Sequence, residues 1–363
     1  MAPSLENAIR HQNRKSGCQM KIGIVGYKGS GKSTLFEWLT GAKADPSLSH
    51  GMQSAMAAVP EPRVAALCEI YKPKKVTMAS LEIVDTPGLA RDEEGNPAKL
   101  AQLREVDCLL CVVPVFEGSD LQKELQAFEE DLMLADLELV MNRIERVKGP
   151  QKRNLSKAEN DRLAYELQTL ELVQAAIESG KPLRENELSE DQQKVTRAFR
   201  LMSEKPRMVI ANTADDATDH ESYQAFSTEK CPVVAVSVRL ENDLVAMSPE
   251  DRAAFLAEMG LTVSDRDKIL KILLDASGQM LFLTAGDKEV RTWLVRKNGT
   301  AIEAAAEIHT DMAKGFIRAE IMKCDDLIRL GSERAVKAEN LNRREPKDYV
   351  IQDGDVILFH FSG

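Results

Sequence analysis

The sequence predicts an α/β protein with a helical insertion and a small α+β domain at its end. Three observations predict it. Apolar runs begin near Lys21, Leu81, Cys108, Met208 and Val233, three of them stopping at glycine, aspartate or asparagine, the pattern of buried strands that feed ligand-binding turns. Between the third and fourth runs lies a charged stretch with apolar residues at helical spacing. After Met280, short strand-like runs are punctuated by glycine-containing turns. At 363 residues, 43% hydrophobic and 29% charged, the chain holds enough apolar material for two or three domains.

The first element is "KIGIVGYKGSGKSTLF", beginning at Lys21. Ile22, Ile24 and Val25 read as a buried strand. Gly26, Gly29 and Gly31 let the following backbone fold into a nest of N–H groups at a helix N-terminus, which holds an anion. The spacing from Gly26 to Gly31-Lys32-Ser33 is the Walker A pattern. In it Lys32 reaches the β and γ phosphates, the Ser33 hydroxyl takes a place on Mg²⁺, and Ser30 and Thr34 complete the cofactor-binding loop.

One strand later, "VTMASLEIV" runs into "DTPGL". Asp85 is placed to hold Mg²⁺ through water and the Gly88 N–H to sense a γ-phosphate, so Lys32 and Gly88 are the candidate catalytic groups. Further on, "RMVIANTADD" ends in Asn212-Thr213-Ala214-Asp215, an arrangement that reads a purine base. "PVVAVSVRLEN" brings Ser237 and Val238 to a strand end, where a backbone N–H meets that base. Four elements in this order describe one P-loop nucleotide-binding domain, expected over 20–128 and 206–279, with ligand at the carboxyl ends of the strands.

The region from 129 to 205 does not belong to that sheet. Leu137, Val140, Ile144 and Val147 recur at spacings of three and four, as do Leu163, Leu167 and Leu170, so two amphipathic helices are expected. Gly149 and Pro150 separate them, giving an antiparallel hairpin whose tip collects Lys148, Lys152, Arg153 and Lys157. That tip is either a solvated loop or a phosphate-contacting finger. Lys288, Arg291, Lys314 and Arg318 form a second positive group in the terminal domain, 280–363, where one helix, "AIEAAAEIH", is expected among strands. Val356, Leu358 and Phe359 read as core there, and His309 and His360, which lack ligand spacing, as structural.

The net charge of -10 argues against a surface coated by nucleic acid. No segment approaches the roughly 20 apolar residues of a membrane span, and residues 1–19 are patternless, a disordered extension without the apolar core of a signal peptide. A cytoplasmic monomer is expected, with neither membrane nor DNA as partner. Six scattered cysteines fit reduced thiols, and the pair Cys108 and Cys111 falls inside a buried-strand run, which favours core packing over zinc or redox chemistry.

The order of Walker A, DxxGL, helical hairpin, Asn-x-x-acid and terminal domain resembles the YchF, or Obg-like ATPase, family. "LTAGDKEVRTW", "IHTDMAKGFIRAE" and "DYVIQDGDV" are similar to that family's TGS domain, a β-grasp module. The resemblance implies a ribosome or ribosomal RNA as partner and a role in translation or stress control. It also brings departures. Gly29 stands where the family usually has asparagine, and the shortened "ADPSLSHGMQSAMAAVPEPR" offers only Ser47, Ser49 or Ser54 in place of a switch threonine. Leu89 occupies the position of a water-orienting glutamine, so slow hydrolysis is expected. Asp215 replaces the family's glutamate, and a carboxylate there accepts from guanine N1–H and its amine but faces a bare acceptor in adenine. GTP is therefore expected ahead of ATP. The alternatives are a nucleotide-gated binding module with vestigial hydrolysis and a small-molecule kinase, which lacks an acceptor-substrate pocket in the sequence.

Overall fold

The structure, a computed structural model, describes residues 20–45, 47, 51–90, 96–116, 118–149, 156–217, 219–259 and 265–362. The extension expected at 1–19, Ser49, and the tip residues Lys152 and Arg153 lie outside these.

In chain order the first elements are β1 (Lys21–Val25), α1 (Lys32–Thr40), β2 (Gln53–Ala58), α2 (Arg63–Tyr71), β3 (Lys75–Thr77), β4 (Ser80–Asp85), α3 (Asn96–Leu103) and β5 (Cys108–Pro114). Helices α4 (Leu121–Lys148), α5 (Lys157–Glu178) and α6 (Glu190–Thr196) follow, then β6 (Arg207–Asn212), β7 (Val233–Val236), α7 (Val238–Leu244), α8 (Pro249–Met259) and α9 (Arg266–Ala276). The rest is β8 (Gln279–Ala285), β9 (Glu289–Arg296), α10 (Ala301–Ile308), α11 (Thr310–Lys314), β10 (Phe316–Lys323), α12 (Cys324–Leu330), α13 (Glu333–Ala338), β11 (Arg343–Glu345) and β12 (Asp355–Phe361). The chain forms two compact units, Met20–Met56 with Glu82–Ile269, and Ala57–Leu81 with the chain from Leu270 onward.

The first sheet runs β2-β4-β1-β5-β6-β7. Strand β1 lies parallel between β4 and β5, and β5, β6 and β7 continue parallel. Every residue of β6 and all but the last of β5 are buried, as strands covered on both faces must be, which is why they read as unbroken apolar runs. Both cysteines of β5 belong to this core, and burial pushes each thiol up to about 12, away from metal or redox use.

Helix α4 starts earlier than the sequence reading placed the insertion, and the expected boundary at 129 falls inside it. Asp120 is its N-cap, accepting from the N–H of Gln122 and Lys123 at 2.9 and 3.3 Å. Its first turns put Leu121, Phe128 and Leu132 into the sheet core. Its later turns put Met133, Val140 and Ile144 against Leu170, Val173 and Ile177 of α5. One apolar stripe thus serves two cores. Asp136, fully buried, accepts from Ser203 N and Oγ, both at 2.8 Å, and from Arg104 Nη1 at 2.6 Å, fastening α4 where it leaves the sheet.

The second sheet runs β11-β10-β12-β8-β9-β3. Its edge strand β3 pairs parallel with β9, Lys75 opposite Glu289 and Thr77 opposite Arg291. Residues 57–81, which the sequence reading gave to the nucleotide domain, thus complete this unit: Val64 and Leu67 of α2 share a core with Leu283, Val290, Leu327, Val336 and Val356. Arg63 locks the arrangement, with Nη1 and Nη2 on Asp353 at 3.0 and 2.9 Å. On the other face Phe282, Ile357 and Phe359 pack with Ala301, Ala304 and Ala305 of α10. Four short helices, α10 to α13, replace the single one expected, because α11, α12 and α13 are too brief for a period to register in sequence. Leu358, expected as core, is 52% exposed where it stands opposite Glu320 on the sheet. His309 caps α11 by accepting from Asp311 N at 3.1 Å, and His360 lies 3.3 Å from Glu320, structural roles as read. Arg291 lies over the Trp293 ring at 3.7 Å and Lys314 sits 3.6 Å from Asp311, so neither is an unattached cation.

Candidate functional site

The parallel register brings the ends of four strands to one rim: Ile24 pairs with Asp85, Pro114 with Asn212, and Asn212 with Val236. The loop after β1 turns into α1 there. Gly31, its N-cap, has φ 98°, and a Cβ at this position would land on Asn212 Nδ2. Glycine is obligatory on both counts.

Lys32 is buried, and its Nζ donates to the Tyr27 carbonyl at 2.8 Å. Burial lowers its pKa to about 8 against the opposing pull of Asp85, with Lys99 adding a smaller depression. A Cβ on Gly88 would lie 2.9 and 3.0 Å from the main-chain Cα and N of Lys28 and 2.8 Å from the Lys32 ammonium, so the backbone of the first loop leaves room only for glycine there. The two loops are zipped by backbone bonds from Lys28 N to Leu89 O at 3.0 Å and from Leu89 N to Gly26 O at 3.2 Å.

Beside Lys32, Ser33 Oγ donates to Asp85 Oδ2 at 2.7 Å, and Gln53 Nε2 reaches the same oxygen at 3.2 Å. The other oxygen, Oδ1, is buried with no hydrogen-bond partner among the described residues. An orphaned carboxylate oxygen next to a hydroxyl is an oxygen donor set that suits Mg²⁺. Among the described residues of the switch region, Gln53 and not Ser47 or Ser54 is the side chain that meets Asp85.

Asn212 does something the motif alone does not specify. Its Nδ2 donates to Ser30 O at 2.9 Å and its Oδ1 accepts from Val238 N at 3.2 Å, joining the phosphate loop to the start of α7. The Val238 N–H expected to meet the base is therefore engaged, and one Nδ2 hydrogen of Asn212 remains for a ligand. Ser237, 2% exposed, is a staple: its hydroxyl lies 2.8 Å from Thr213 Oγ1 and donates to Ala214 O at 2.8 Å. Gly29, Gly31, Thr34, Phe116, Asn212, Thr213, Asp215, Val238 and Arg239 border a cleft of about 370 Å³. Phe116 and Arg239 were missed in the sequence. An aromatic just past a strand and an arginine after a motif carry no signal until the fold brings them beside Asp215, whose Oδ2 is 3.9 Å from Arg239 Nε.

A mainly parallel sheet with a Walker A nest, an acidic strand end below it and a cleft rimmed by an Asn-x-x-Asp loop is the G-domain form of a P-loop nucleoside triphosphatase. The family model described as "50S ribosome-binding GTPase" matches residues 21–143, and that of the YchF GTPase C-terminal domain, described as a protein of unknown function, matches 280–362. The chain belongs to the YchF/Obg-like ATPase family: it is 32% identical to the ribosome-binding ATPase YchF of Bacillus subtilis over 94% of this chain and 99% of that one. It is 34% identical to Obg-like ATPase 1 of Oryza sativa subsp. japonica, over 94% and 92%. The structure of the Schizosaccharomyces pombe YchF GTPase superposes with a TM-score of 0.78 at 26% identity, over 96% of this chain and all of that one.

Proposed function

We propose that this protein is a Mg²⁺-dependent triphosphatase that binds GTP ahead of ATP, hydrolyses it slowly and acts as a ribosome-associated switch. The observation that carries it is the contact of Ser33 Oγ with Asp85 Oδ2 at 2.7 Å, directly beside the Lys32 ammonium. Lys32 binds the β and γ phosphates, the glycine loop and the Ser30 to Thr34 N–H groups cradle them, and Gly88 N–H senses the γ-phosphate. Ser33 and Asp85 hold the metal, which when bound neutralises charge developing on the phosphates. Slow turnover follows from Leu89, 1% exposed and bridged to Tyr27: an apolar side chain there cannot orient water. The acceptor chemistry of Asp215 supports guanine, and the similarity to a ribosome-binding ATPase and an Obg-like ATPase supports the ribosome as partner and keeps ATP as the second reading.

A competition titration of GTP against ATP with Mg²⁺ tests the nucleotide. GTP is expected to displace ATP, and equal or reversed affinity overturns that preference. Ribosome co-sedimentation across a salt series tests the partner, with each lost phosphate contact lowering the salt slope by about 0.7 to 0.9 in a triple variant of Lys152, Arg153 and Lys157. Absence of nucleotide-dependent co-sedimentation overturns the switch reading.

A further inference from the structure

Tyr27 follows the first glycine of the phosphate loop, yet its side chain belongs to α4. The ring is 8% exposed and stands edge-on to Phe128, centroids 5.5 Å apart at 87°. Its hydroxyl donates to Asp131 Oδ2 at 2.7 Å. Phe128 and Asp131 are three residues apart on α4, the spacing that places two side chains on one helical face, so the helix grips both the ring and its polar tip. The same residue's carbonyl accepts from Lys32 Nζ at 2.8 Å and from Ser30 N at 3.3 Å. An ammonium has three donors, and fixing one of them on a main-chain oxygen aims the other two.

We propose that Tyr27 is a positioning residue. Anchored on α4 by ring and hydroxyl, it fixes the carbonyl that orients Lys32, and so makes triphosphate binding depend on where the helical arm stands. The inference rests on the reading of this loop as a triphosphate site. Coupling of this kind is reciprocal: a ligand that moves α4 changes triphosphate affinity, and triphosphate changes the affinity of that ligand by the same factor.

The test measures dissociation constants of a fluorescent GTP or ATP analogue with Mg²⁺ for the full chain, together with melting temperatures. Tyr27→Phe and Asp131→Ala each remove one partner of the hydroxyl bond and are expected to weaken binding by roughly 3- to 10-fold. The double variant is expected to be no weaker than the worse single one, because both break one link. Asp131→Asn, whose amide oxygen still accepts, is expected within about twofold of the original protein. Lowered melting temperatures with unchanged dissociation constants overturn the inference, as does a double variant whose loss is the product of the two singles. If the unmodified protein shows no triphosphate binding that Lys32→Ala abolishes, the triphosphate reading itself fails. That result is distinct from normal binding that is indifferent to Tyr27.

Discussion

Asn212 bridges Ser30 and Val238, donating to the carbonyl of one and accepting from the N–H of the other. Both main-chain groups are in buried residues, so Asn212→Ala leaves an acceptor and a donor without partners. The loss is expected to be about 2–3 kcal/mol, read in urea unfolding, together with weaker nucleotide binding. Asn212→Asp should be no better, because it sets an oxygen against the Ser30 carbonyl. A variant as stable as the original would show that the bridge is redundant.

Lys32 gives a pH dependence with a definite sign. Its pKa of about 8 in the folded protein lies below the ordinary lysine value, so burial of the charge costs stability most fully below pH 8 and the cost is relieved as pH rises toward the unfolded value. Lys32→Met should therefore melt higher than the original protein at pH 7, with the gap closing by pH 10. Triphosphate favours the ammonium form, so affinity should be flat below pH 8 and fall by about tenfold per unit above it. Titrations from pH 7 to 9.5 check both arms.

Asp215 and Arg239 set a third expectation. If GTP is preferred as proposed, Asp215→Asn removes the anionic acceptor for guanine N1–H and its amine and should cost GTP roughly 10-fold or more while sparing ATP. Arg239→Ala should widen the GTP preference by releasing that carboxylate. Paired dissociation constants for the two nucleotides decide it.

Asp136 is expected to matter for stability and not for nucleotide. With no exposed surface and three donors converging on it, its removal in Asp136→Ala strands the Ser203 N–H and leaves Arg104 its bond to the Ala135 carbonyl but no counter-charge, at a cost of about 3 kcal/mol. Denaturant midpoints measure the loss.

What was legible in the sequence was whatever local spacing encodes. The nest from Gly26 to Ser33 and the acid at Asp85 are short-range chemical patterns, and the unbroken apolar runs of β5 and β6 announced a sheet covered on both faces. The helical stripe of α4 was visible from Leu137 onward, but its beginning was not, because the turns that carry Phe128 face a different core. Partnerships across long separations left no trace: Gln53 with Asp85, Tyr27 with Asp131, and Thr77 with Glu289 at 2.5 Å join residues that no periodicity links. Leu358 misled because an apolar residue in an alternating strand looks buried whether or not an element covers that part of the sheet.

Strand β3 and helix α2 reach their unit from the far side of a long excursion of chain, and that shapes how the gene can be divided. A fragment cut to residues 280–362, the span of the matched C-terminal domain, would leave behind the strand that edges β9 and the helix over Leu283, Val290 and Val356. Such a piece would carry a raw sheet edge and a bare apolar face, and would be expected to self-associate. Splicing residues 57–81 back through a flexible linker should return it to a soluble single particle. Truncation experiments on this protein thus need cuts that respect the weave of the chain and not its linear order.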